Sequence, residues 1–111
     1  MVVVIFRSHI DPQADMGGME AMGNRMHELA SAMPGFVSYK EFAAEDGESL
    51  TLVQFEDERT LLAWRHQHEH VQGQEIGRKS FFADYHIQVC KPIREYRFDR
   101  ESGRVDLPVT P

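Results

Sequence analysis

Three histidines alternate with Gln67 and Glu69 over His66-Gln67-His68-Glu69-His70. Imidazole ligates metals, and near neutral pH it also takes up and releases protons. Spacing separates these uses. On an α-helix, residues two apart point about 200° away from each other, so the three rings cannot converge on one ion. Only His66 and His70, four apart, share a face. A zinc site takes three or four ligands, and one turn to either side of that pair stand Leu62, Ala63, Gly73 and Gln74. No metal is therefore expected, and the run offers one candidate proton-transfer group. If the helix is straight, His68 falls on the core side with Leu61, Trp64 and Val71, and His70 points to solvent. If it breaks near His66, His70 rotates inward. The sequence leaves both open.

Other side chains have simpler uses as well. Trp64 is first a core residue whose indole N–H needs a partner. Arg65 and Arg78 read first as surface ion-pair groups. Met19, Met22, Met26, Leu29 and Met33 recur at steps of three and four. That stripe is most simply core, yet a methionine wall also adapts to flat aromatic ligands. Asp84 and His86 share a strand face and can line an interface or meet Arg7. Cys90, the sole cysteine, has no recognisable activating neighbour.

The elements that must position these groups follow from periodicity. Val2 to Ile10 is rich in β-branched residues and apolar on both faces at its start, which predicts a central strand. The methionine stripe predicts a helix within residues 15–33, stopped by Pro34-Gly35. Phe36 to Ala44 and Leu50 to Glu56 form a hairpin around Asp46-Gly47. Asp57-Glu58 opens a second helix whose apolar members are Leu61, Leu62, Trp64 and Val71, with Gly77 as its terminator. Phe81 to Cys90 is the last strand, with Ala83, Tyr85, Ile87 and Val89 facing one way. Pro92 interrupts it, and Ile93 to Phe98 resumes as an edge segment. The order β-α-β-β-α-β is the α+β ferredoxin-like arrangement, an antiparallel sheet with both helices on one face. Residues 1–98 form this domain, and residues 99–111 are a C-terminal tail or dimer arm. The sheet's other face, with Val3, Ile5, Val37 and Tyr39, is too apolar to leave in water, so a homodimer is expected.

Composition excludes several classes. At 111 residues the chain supports one core, and a net charge of -6 disfavours phosphate backbones and anionic lipid. No nucleic acid or membrane partner is expected. A lone cysteine and an apolar N-terminal run of only six residues point to a cytoplasmic protein.

Pro34-Gly35-Phe36, the run Ala63 to His70, and Gly77-Arg78 with Phe81-Phe82 and Tyr85 carry a likeness: over roughly residues 1 to 96 the sequence resembles the antibiotic-biosynthesis-monooxygenase-like family of dimeric α/β barrels. Pro34-Gly35-Phe36 is similar to the family's turn into its second strand. Ala63-Trp64-Arg65-His66-Gln67-His68-Glu69-His70 is similar to its helix-two signature. Gly77-Arg78 with Phe81-Phe82 and Tyr85 is similar to its fourth-strand entry. Two departures stand out: His68 where the family usually has proline, and Gln67 where it often has histidine. The resemblance implies a cofactor-independent monooxygenase acting on a small phenolic or hydroquinone-like aromatic with O₂ and no cofactor. His70 or His68 would be its base, Trp64, Arg65 and Tyr85 its orienting groups, and Met26 part of the substrate wall. It equally allows haem binding and degradation, with the same histidines as axial ligand, or a non-catalytic small-molecule-binding dimer.

Overall fold

Alternation along β1 (Val2–Ile10) turns Val2, Val4, Phe6 and Ser8 to one side of a sheet and Val3, Ile5, Arg7 and His9 to the other. The structure, a computed structural model, describes residues 1–109, and of His68 the backbone alone. Six further elements complete the main body: α1 (Met16–Ser31), β2 (Phe36–Ala43), β3 (Ser49–Phe55), α2 (Glu58–Arg65), α3 (His68–Ser80) and β4 (Phe82–Cys90). The four strands lie in the order β2-β3-β1-β4, antiparallel throughout. This is the expected α+β ferredoxin-like sheet. A short hairpin follows, β5 (Glu95–Asp99) with β6 (Gly103–Leu107). No described helix is long and apolar enough to cross a membrane.

The core forms where the helices meet the sheet. Val2, Val4, Val53 and Phe55 from the strands close on Ala30 of α1 and on Leu61 and Trp64 of α2. Phe55 stacks on Trp64 with ring centroids 5.4 Å apart. The Pro34-Gly35 turn fixes the approach of α1 and α2. Gly35 has φ +81, and a Cβ there would stand 2.5 Å from Thr60 Oγ1, so no other residue fits. Asp57 caps α2, accepting from the Thr60 amide at 2.8 Å while Thr60 Oγ1 accepts from the Asp57 amide at 3.4 Å.

Several sequence expectations change. The second helix is two helices, parted at His66 and Gln67. Leu62 and Val71 are exposed rather than in the core: α2 turns Leu61 and Trp64 inward, and α3 restarts in a new phase after the break. Gly77 does not end it, because α3 runs on to Ser80; Gly77 instead lies under the Phe82 ring. Tyr39 turns to the helix side, not the far face. A bulge between Phe36 and Ser38 absorbs one residue and flips the alternation. A second irregularity near His9 and Ile10 brings Phe82, not Ala83, onto the face of Tyr85, Ile87 and Val89. Ile93 to Phe98 does not rejoin the sheet as an edge: Glu95–Asp99 pairs with Gly103–Leu107 alone.

Candidate active site

Between the helices and the inner face of the sheet lies a cavity of about 570 Å³. Its floor is Val4, Phe6, Ser8 and Val53, and its methionine wall is Met16, Met19, Met22 and Met26 of α1. Trp64, Arg65 and His70 close it from the α2–α3 side. The size suits a small organic molecule, and the lining is mostly apolar with a few polar groups.

His70 reaches this cavity because of the helix break. Gln67 adopts an extended backbone (φ -61, ψ 132), and its side-chain oxygen accepts from the His70 amide at 2.8 Å, capping α3. The chain restarts its helical phase there, and His70 ends 7% exposed with its ring 4.2 Å from the Trp64 ring. Nδ1 lies 3.3 Å from the Arg65 carbonyl oxygen, which can only accept, so Nδ1 carries the proton of the neutral ring. Nε2 is then the basic nitrogen, without a hydrogen-bond partner among the described residues. Burial holds the imidazole below its ordinary value of 6.5; the Arg65 carbonyl opposes that and the Arg65 charge adds to it. The burial thus favours the uncharged form of the ring.

Trp64 is 6% exposed, and its Nε1 is buried with no hydrogen-bond partner among the described residues. Tyr39, stacked on His27 at 4.6 Å, also faces the cavity. Burial first, and the Glu41 charge second, push its phenol up to about 12. It remains a hydrogen-bond donor through the physiological range.

The structure thus brings Met26, Trp64, Arg65 and His70 around one cavity. The His68 side chain lies outside the described residues. Tyr85 does not line the cavity: it packs on Phe6 and Phe82, and its hydroxyl accepts from Arg78 at 3.2 Å. His66 is exposed, and no three metal-ligating side chains converge among the described residues. Arg7 and Asp84 do not meet each other on the far face. Arg7 pairs with Glu48 at 3.0 Å and His9 with Asp84 at 2.9 Å. Ser8 and Tyr39 escaped the sequence reading. Ser8 falls on the parity of Val4 and Phe6, whereas Tyr39 is hidden by its bulge.

No protein-family model matches the sequence, and no curated protein matches it. Solved structures do match. Rv0793 from Mycobacterium tuberculosis superposes with a TM-score of 0.75 at 21% identity, covering 85% of this chain and 96% of that one. A crystal structure named as an antibiotic biosynthesis monooxygenase gives 0.72 at 15% identity, covering 84% and 99%. SnoaB, a cofactor-independent oxygenase from Streptomyces nogalater, gives 0.70 at 13% identity, covering 91% and 97%. The likeness is one of fold. It falls among structures bearing the name of the family that Trp64 to His70 and Gly77-Arg78 resemble.

Proposed function

We propose that this chain is a cofactor-independent monooxygenase that oxidises a small phenolic or hydroquinone-like aromatic with O₂. The observation that carries this reading is His70: a buried imidazole beside an apolar cavity, with Nδ1 held by a carbonyl and Nε2 free to accept a proton. In such chemistry Nε2 takes the phenolic proton, and the electron-rich anion itself reduces O₂. One oxygen atom enters the ring and the other leaves as water, so a phenol and O₂ give a quinone and water with all electrons drawn from the substrate. The mostly apolar walls, with the Trp64 ring among them, hold the aromatic substrate beside Nε2. The oxygenase name borne by SnoaB, which shares the fold, supports the same class.

The test is product formation from candidate phenols and hydroquinones with and without O₂. Product in rigorously anaerobic solution overturns the reading. The free Nε2 also suits an axial ligand to haem, the runner-up. A Soret shift on haem titration that His70→Ala abolishes would favour that reading instead.

A further inference from the structure

A second, shallower cavity of about 270 Å³ lies outside the first, in the groove between α1 and α3. The two have Met22, Met26 and Gly73 in common as lining. The partition between them is therefore one side chain thick. We propose that Met22, Met26 and Gly73 form a side door for O₂, leading from the α1–α3 groove into the main cavity. This rests on the oxygenase reading for its purpose, though not for its detection.

The chemistry of the partition fits a small apolar gas. A Cβ at Gly73 would stand 2.8 Å from Met26 Cε, 3.0 Å from Met26 Sδ and 3.1 Å from Met22 Sδ. The space that any other residue would occupy is thus held by the free ends of two unbranched side chains. Such ends change rotamer quickly and need no backbone movement. Meanwhile the groove's outer rim is fixed: Arg25 bridges Glu69 of α3 with both Nε and Nη2 and also holds Glu28 at 2.9 Å. With the helices clasped there, passage opens by methionine rotation rather than by helix separation. An aromatic substrate buries most of its surface in its pocket and so obstructs the wide entrance it used. A second route lets O₂ arrive behind it, and an all-apolar partition admits O₂ more readily than water.

Trp64 is the sole tryptophan, is buried, and lines the main cavity. With the main cavity saturated by an aromatic that O₂ does not oxidise, such as toluene, quenching of its fluorescence by dissolved O₂ reports arrival of the gas by the second route without any turnover. Gly73→Ala, which jams the partition without weakening the helix, is expected to lower the O₂ quenching constant severalfold. Met26→Ala, which thins the partition, is expected to raise it. Acrylamide, larger and polar, serves as the control for the wide entrance and should quench all three proteins alike. Equal O₂ quenching in all three overturns the side door and leaves the oxygenase reading standing. A parallel change in acrylamide quenching also overturns it, because that marks general loosening. The expected O₂ pattern together with no oxygen-dependent product would sink the oxygenase reading and keep the passage.

Discussion

In the proposed reaction His70 is the base, and its burial gives a pH signature. A base must be unprotonated, so kcat/KM should rise with pH through a value below the ordinary 6.5 and be flat above neutrality. His70→Asn should lower kcat by about 10²-fold or more, the usual contribution of a positioned proton-transfer group. An acid limb unchanged in that variant would assign the base elsewhere. Stability follows with a definite sign. The native ring resists protonation and the unfolded ring does not, so the stability present above about 6.5 is lost as pH falls through the native value. Trp64→Phe tests the unpaired N–H. It removes a buried donor that costs about 1–3 kcal/mol when unsatisfied. Thermal stability should therefore hold or improve with KM little changed; a loss of stability would show that the packing of the indole outweighs its buried donor.

At the scale of elements, the break between α2 and α3 decides which histidine turns inward. Gln67 supplies by capping and extended backbone what a proline at the next position would supply by covalent constraint. His68 stands at the first position of α3, where an N–H has no helical partner and proline is favoured, and Gln67 already holds the conformation that precedes proline. His68→Pro should leave melting temperature and activity essentially intact, whereas a continuous helix would lose about 3 kcal/mol or more. Gln67→Ala should cost about 0.5–2 kcal/mol, as for a lost helix cap. This junction marks the limit of what the sequence reveals. The strands, the hairpin at Asp46-Gly47 and the inward Trp64 were legible from alternation and turn residues. The phase of His70 was not, because glutamine is an uncommon cap and nothing local announces it. Nor was Tyr39, since the bulge beside Val37 carries no glycine to mark it.

For the molecule as a whole, the uncovered face of the sheet sets the expectation. Val3, Ile5, Leu50 and Leu52 lie on that face, with Phe42 at 45% exposure beside them. The terminal hairpin adds Tyr96 and Phe98 at 54% and 70% exposure. Patches of this kind mark interfaces, and a second copy covering the sheet remains our proposal for what meets them. Light scattering coupled to size exclusion should give a dimer at micromolar concentration, and Leu52→Glu should shift it to monomer. A wild-type monomer under those conditions would contradict the proposal. The apolar character of the sheet's first strand was readable in the sequence. The hairpin was read only as an edge segment and a tail, because its pairing is internal and Pro92 obscured its start.

The stacking of Tyr39 on His27, and its burial, have a protective consequence. An oxygenase of phenols built with a tyrosine in its own cavity carries a rival to its substrate, since a tyrosine side chain is itself a phenol. Oxidation by O₂ in this chemistry begins from the anion, and with its pKa pushed up to about 12 Tyr39 almost never becomes one. Under the proposed chemistry, burial thus keeps the protein's own phenol protonated, and only a phenol placed against the basic nitrogen of His70 loses its proton, so the catalyst would be spared from consuming itself.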